Sequence, residues 1–341
     1  MSSADPQRAA EHSKLAQAAF RARRRQDMRV HLEAAVACGS ESARDYFLLG
    51  NLLKDAGEET QARAHYERCV ALDASMHAAQ FNLATLHRKA GRTAEAVSAY
   101  EAALVLRPGY RRAVISFGEL LLELDRREDA TRLFERAVEA GALEHPLQRA
   151  SHHVAGLPSR PWYDPARFDF LRTFEAQAGV IAEELENLLR IDAAQIKPWK
   201  SDALAVGGWS KFFFWFKAVR NPHAATLCPR TAALFDDLTV ATSMPLGNIC
   251  FSVIEPQTHI KAHCGPTNTR LRCHLGIVVP EGATLRVGTQ ERPWRQGEWL
   301  VFDDSFEHEA HNRSAARRVV LLMDIWHPAL DTAAKQRQAL S

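Results

Sequence analysis

Small and large apolar positions recur along the first half of the chain with a period of 34 residues. In residues 77–110, Leu83 and Ala84 stand at positions 7 and 8, Gly91 at 15, Ala96 at 20, Tyr100 at 24, Ala103 at 27 and Pro108 at 32. Residues 43–76 place Tyr46, Leu49, Gly50, Gly57, Ala62, Tyr66 and Cys69 in the corresponding slots, and residues 111–144 repeat Phe117, Gly118, Ala130, Phe134 and Ala137. The spacing predicts two helices per unit. Small residues at positions 8, 20 and 27 let them approach, large ones at 7 and 24 fill the gap to the next unit, and each pair leaves an apolar face that only its neighbour covers. An earlier stretch, 9–42, keeps this register loosely through Leu15, Ala16, Leu32 and Ala35, with Arg23 where glycine is expected, and reads as a degenerate capping repeat.

From 141 to 167 the periodicity fails and Pro146, Pro158, Pro161 and Pro165 accumulate, which predicts a linker with an extended lead-in. His145, His152 and His153 read there as solvated loop residues. Residues 169–190 carry apolar side chains at helical spacing and predict one long helix packed on a second domain. After about residue 205 the pattern turns to short apolar runs punctuated by Gly and Pro, at 211–219, 248–254, 271–279, 284–287, 298–302 and 318–326. These predict antiparallel strands in a sandwich or jelly-roll barrel. The aromatic run 212–216 reads as a buried strand rather than a base-stacking surface, because no basic groove accompanies it. The expected organisation is a helical repeat domain over 1–144, a linker over 145–168 and a β-domain over 169–341.

Alternation within two of these strands brings in chemistry. In LRCHLGIVV, Arg272 and His274 share one face while Leu271, Cys273 and Leu275 share the other. An arginine and a histidine turned into a barrel interior are costly without an anionic occupant. The last strand repeats the feature, with Arg318 on the face of Val320 and Leu322. Two converging arginines suit a ligand with two carboxylates; the alternative is a strand-end arginine reaching solvent, and Arg317 could fill the same role as Arg318. His259, His263, His274, His308, His311 and His327 all fall between 251 and 330, where imidazoles from separate strands can converge on a metal.

Length and composition narrow the classes. At 341 residues two domains are expected, and 46% apolar with 25% charged residues supplies packed cores. Lys plus Arg number 43 against 41 Asp plus Glu, a net charge of +2 that gives no reason to expect a nucleic-acid partner. The basic stretch 21–25 reads as a solvated helix face. Six scattered cysteines without a CxxC pair argue against structural zinc and a disulfide framework. Neither a signal peptide nor a membrane anchor is expected, and a reducing cytoplasm is the expected location.

The repeat resembles the tetratricopeptide (TPR) repeat, which implies a solenoid whose concave side takes peptides or proteins, or one that only packs or dimerises. Farther on, HCGPTNTRLRCHLGIVVP from residue 263, WRQGEWLVFDDSFEHEAHN from 294 and RVVLLMDIWHP from 318 resemble the aspartyl/asparaginyl β-hydroxylase family over about 205–330. The resemblance implies an α+β multidomain chain, a TPR solenoid followed by a double-stranded β-helix of jelly-roll or cupin type. It implies Fe(II) and 2-oxoglutarate as cofactors, with His263 and His308 as the iron ligands at the catalytic centre. Arg318 and Ser252 would hold the distal carboxylate of 2-oxoglutarate, with Arg272 and His274 beside its chelating end. Arg270 would face the substrate, and Asp304 would orient metal-bound water or substrate.

Two positions qualify this transfer. Gly265 stands where most such oxygenases place an Asp or Glu ligand, an absence the family shares. Cys250 stands where animal members carry lysine for the substrate carboxylate, which leaves the substrate side chain open. The expected function is hydroxylation of a peptide or protein side chain, foremost the β-carbon of Asp or Asn, presented by the TPR surface and the oxygenase cleft. The alternatives are hydroxylation of a lipid acyl chain or free small molecule, and an inactive TPR scaffold.

Overall fold

The helices of the first half pair as the 34-residue period requires. In the computed structural model, whose described residues are 5–340, they run Pro6–Arg21, Arg25–Ala37, Ala43–Asp55, Glu59–Leu72, His77–Lys89, Thr93–Leu106, Arg111–Glu123 and Arg127–Glu139. A Cβ on Gly50 would stand 2.7 Å from the Tyr66 ring, and one on Gly118 would collide with the Phe134 ring. Each aromatic of a second helix thus lies on the bare backbone of the first. Ala62, Ala84, Ala96, Ala103 and Ala130 are fully buried at the other small positions, so the helices approach to the density of a packed interior.

The turn inside each unit needs a left-handed residue. Gly57 and Gly91 supply it at φ 81° and 70°, whereas Arg23 and Asp125 fill the same slot at φ 55° and 56°. A side chain there crowds the backbone.

The chain divides into two compact units, Met1–Pro146 and Leu147–Ser341. The second is built on two antiparallel sheets. The larger runs in the order Trp162–Tyr163, Trp299–Phe302, Arg270–Val278, Arg318–Trp326, Asn248–Ile254, Trp209–Phe216 and Lys197–Pro198, with Val219–Arg220 paired to Trp209–Phe216. The smaller runs Gln290–Pro293, Ala283–Val287, His308–Asn312, Thr258–His263 and Leu204–Val206. Alternation divides the larger sheet cleanly. Leu271, Cys273, Leu275, Val319, Leu321, Met323, Phe212 and Phe214 pack against Phe174, Ile181 and Leu185 of the covering helices. From the opposite face Val320, Leu322, Cys250 and Ile254 meet Ile260, Leu285, Val287 and Ala310 of the smaller sheet.

Three expectations need correction. Residues 147–168 are not linker: buried Gln148 donates to Asp303 and Ser305, Arg149 pairs with Glu307 at 2.6 Å, and Trp162–Tyr163 adds an edge strand. Proline is tolerated at such an edge, so its accumulation did not signal a break. The single helix over 169–190 is two, Leu171–Ala176 and Ala178–Ile191, parted at Gln177, whose ψ of 8° leaves the helical range. Strands Thr258–His263 and His308–Asn312 were not expected at all. Among the described residues no helix is long and apolar enough to cross a membrane.

Arg23 is exposed in its strained turn. Arg23→Gly is expected to stabilise the helical unit by about 0.5–1 kcal/mol, seen as a higher thermal midpoint; an unchanged or lower midpoint would show the turn to be unstrained.

Candidate active site

His308 opens the strand His308–Asn312 and pairs in register with His263, which closes Thr258–His263. Thr258 and Ile260 face the core, so strict alternation would turn His263 outward with His259. A bulge prevents this. Between the pairs His308↔His263 and Ala310↔Ile260 one strand advances two residues and the other three, and the extra residue re-aims His263 inward. The two rings stand 4.2 Å apart, centroid to centroid, at 49°.

Their protonation follows from their partners. His263 Nδ1 lies 2.9 Å from the Lys261 carbonyl and His308 Nδ1 2.9 Å from the Phe306 carbonyl. A carbonyl only accepts, so each Nδ1 carries the hydrogen. Burial pushes both pKa values down, that of His308 to about 3, and the rings are neutral. Each therefore offers an unprotonated Nε2, with Nδ1 anchored in the manner of imidazole metal ligands.

A continuous wall leads away from this pair. Phe302 lies 5.7 Å from His308 and 5.1 Å from His274. His274 Nδ1 accepts from Trp294 Nε1 at 3.3 Å, and the Trp294 ring lies 4.3 Å below the Arg318 guanidinium. Arg318 Nη1 donates to the Ser252 carbonyl at 3.2 Å, and Ser252 Oγ accepts from Trp209 Nε1 at 3.1 Å. Because the indole only donates, His274 carries its hydrogen on Nε2. That N–H and Arg318 Nε are buried without a hydrogen-bond partner. Burial lowers the Arg318 pKa to about 9, which leaves it cationic at neutral pH. Arg317 is half-exposed, 3.9 Å from Glu255, so Arg318 is the inward arginine.

Arg270 does not face an open site. Its guanidinium is 4% exposed and grips Asp304 through Nε at 3.2 Å and Nη2 at 2.7 Å, approaches Asp324 at 3.4 Å, and donates to the Leu246 carbonyl. Arg272 binds the same carboxylates, Asp324 at 2.7 Å and Asp304 at 3.0 Å. Two buried arginines and two buried aspartates neutralise one another. Burial alone would raise the Asp304 pKa, but Arg270 and Arg272 hold it well below the usual range. A Cβ on Gly265 would stand 2.5 Å from the Asp304 carboxylate. Asp304 thus occupies the space a side chain at 265 would take.

Sequence reasoning missed Asp324, Trp294 and Lys211. Lys211 shares its face with Trp209 and Phe213 and pairs in register with Ser252, one strand over from Cys250. Its ammonium is 3.9 Å from the Trp199 ring centre and 4.6 Å from that of Trp209, and no carboxylate among the described residues pairs with it. Burial pushes its pKa down to about 8. Period-two counting from Trp209 would have found it.

The sequence model described as Aspartyl/Asparaginyl beta-hydroxylase matches residues 175–328. The second unit carries an aspartyl/asparaginyl β-hydroxylase domain. Tetratricopeptide-repeat models match 43–76 and 87–150, so the helices ahead of the hydroxylase domain are TPR repeats. Among curated relatives, the chain is 33% identical over 219 residues to the Mus musculus aspartyl/asparaginyl beta-hydroxylase, covering 62% of this chain and 29% of that protein. It is 38% identical over 192 residues to the Homo sapiens aspartate beta-hydroxylase domain-containing protein 2, covering 54% and 51%. To the Rhizobium tropici ornithine lipid ester-linked acyl 2-hydroxylase it is 34% identical over 182 residues, covering 51% and 63%. The chain spans less than two thirds of the length of each. By name, these relatives are amino-acid and acyl hydroxylases.

The Gly265 geometry yields one prediction. Gly265→Asp, which restores a carboxylate at the usual ligand position, drives its Cβ into Asp304 and is expected to cost about 1–3 kcal/mol of stability; a calorimetric midpoint equal to that of the unsubstituted protein would refute the clash.

The buried imidazoles yield another. His263, His274 and His308 all have pKa values below 6.5, so the unfolded chain binds more protons as pH falls through 6.5, and stability falls with it. Asp303, raised to about 7 by burial, opposes this but is one group against three. The melting temperature of the metal-free protein is expected to drop steadily from pH 6.5 to 5; a rise over that interval would contradict neutral imidazoles.

Proposed function

We propose that the chain is an iron(II)- and 2-oxoglutarate-dependent dioxygenase that hydroxylates a peptide or protein side chain. The observation that carries this reading is the placement of two neutral imidazole Nε2 atoms on a wall that ends in the unpartnered His274 N–H and Arg318 Nε. Two nitrogen donors suit iron, and a buried cation without a carboxylate calls for an acid. The two facing sheets support the double-stranded β-helix as the underlying fold.

His263 and His308 would hold the iron. Arg318, backed by the Ser252 carbonyl and the Trp294 ring, would take the distal carboxylate of 2-oxoglutarate, with the His274 N–H and Arg272 nearer the metal. When bound, the metal would supply oxidising chemistry in which dioxygen is the oxidant: one of its oxygen atoms would enter succinate as 2-oxoglutarate loses carbon dioxide, and the other would become the hydroxyl on a C–H bond of the substrate. Asp304, held ionised by Arg270 and Arg272, accepts hydrogen bonds beside Gly265 where a ligand carboxylate would otherwise stand. Phe302, Trp294 and Trp209 exclude water from the wall. Lys211, in place of Arg270, is the cation open to a substrate carboxylate, which keeps the β-carbon of Asp or Asn as the foremost target. The TPR repeats support a peptide or protein partner. A lipid acyl chain is the second reading, favoured by the identity to the Rhizobium tropici acyl hydroxylase. Six cysteines without disulfides are in keeping with a reducing cytoplasm.

With added iron(II), the full chain is expected to convert 2-oxoglutarate to succinate slowly even without substrate, measured by mass spectrometry. His308→Ala abolishes this turnover, and Arg318→Met raises the KM for 2-oxoglutarate about 10- to 100-fold through loss of a charge-assisted pair. Absence of turnover in the unsubstituted chain would favour the scaffold reading, and full turnover in His308→Ala would refute the assigned centre.

A further inference from the structure

The outward face of the smaller sheet carries a second group of ligating side chains. His259 and His311 are direct cross-strand partners, and their rings stack 4.2 Å apart at 12°. Glu309, two residues before His311, points to the same face, opposite to His308, Ala310 and Asn312, which are turned inward and buried. Its Oε1 lies 2.7 Å from His259 Nε2 and 3.4 Å from His311 Nε2. One donor atom from each of the three residues lies within 4.8 Å of the other two. All three side chains are 21–32% exposed, open to entry from solvent yet held in place.

We propose that His259, Glu309 and His311 form a divalent transition-metal site of the zinc class, separate from the His263–His308 pair. Two imidazoles and one carboxylate leave a fourth, water-filled position in a tetrahedral site. Ligand atoms about 2.1 Å from such an ion stand about 3.4 Å from one another. The His311–Glu309 pair has that spacing already, and His259 needs to withdraw by well under an ångström. An imidazole ligates through an unprotonated ring nitrogen. Arg286, paired in register with Glu309, donates to Oε2 from Nε at 3.1 Å, which orients the carboxylate and leaves Oε1 for the ion.

The site has a structural consequence. An ion there ties Thr258–His263 to His308–Asn312 from outside, across the two strands that carry His263 and His308 on their inner side. Occupancy would therefore stiffen the bulge that aims His263 inward. The second equivalent counted below rests on the proposed His263–His308 centre, whereas the site itself is read by metal affinity in a chain lacking that centre.

The test is calorimetric titration of the full chain with Zn2+. The unsubstituted protein is expected to bind two equivalents and His311→Ala one. In a His263→Ala/His308→Ala background, one equivalent should remain, raise the melting temperature by roughly 5 °C at a hundredfold excess over Kd, and weaken at least tenfold when His311→Ala is added. A single equivalent in the unsubstituted chain that His311→Ala leaves intact would overturn the proposal. So would failure of the double-alanine background, shown folded by circular dichroism, to bind any zinc. If that background does not fold, the two-to-one comparison in the otherwise unsubstituted chain decides alone.

Discussion

Arg318 brings a positive charge into the layer between the two sheets with no carboxylate among the described residues to meet it. Removing such a charge from water costs several kcal/mol when nothing compensates. A ring face, one carbonyl and an unpartnered Nε do not compensate it. Its neighbours show that the chain could have done otherwise, for Arg270 and Arg272 are saturated by Asp304 and Asp324 across the same sheet. The fold carries this bare cation in its interior, and the large apolar interface on either side of the sheet is what can sustain it. Everything argued about a bound diacid rests on that imbalance.

The imidazole pair rests on a different device. Neither strand that carries it is hydrophobic, and a regular ladder would have turned the two rings to opposite faces. The bulge and two carbonyls, each two residues before its histidine in the chain, set both side chains. Positioning is thus local and carried by the backbone, which keeps the geometry rigid before any metal arrives.

Legibility in the sequence followed period and burial. The 34-residue repeat and the two faces of Arg270–Val278 could be read, because each depends on apolar side chains at fixed spacing, whereas spacing alone left Arg317 open beside Arg318 and only the family resemblance chose between them. THIKAH and HEAHN could not be read as strands: they are short, polar and poor in β-branched residues, and they are held by pairing with neighbours rather than by propensity. The bulge is invisible for the same reason, since it belongs to a pairing of segments 45 residues apart. Arg270 was misread because its neutralising partners lie 34 and 54 positions away. The prolines of 145–168 were taken for a break where they mark an edge. Strand order in the larger sheet places residues from the chain's distant parts side by side, and no local pattern encodes that.

The charge of the interior bears on the substrate. The inner face of the larger sheet carries Arg270, Arg272, Arg318 and Lys211 against the two carboxylates of Asp304 and Asp324, an excess of two cations, while the three histidines there are neutral. One excess cation, Arg318, would be met in the proposed reading by the distal end of a diacid cosubstrate. The other, Lys211, lies over indole rings at a strand position adjoining Cys250. Cation–π contacts of about 1–2 kcal/mol soften its burial without neutralising it. An acyl chain would leave that ammonium unmet in a drier cavity than before, whereas a carboxylate-bearing side chain would neutralise it on entry. Within the proposed function the inventory therefore favours an acidic substrate, with Lys211 supplying from a neighbouring strand the charge that Cys250 does not carry.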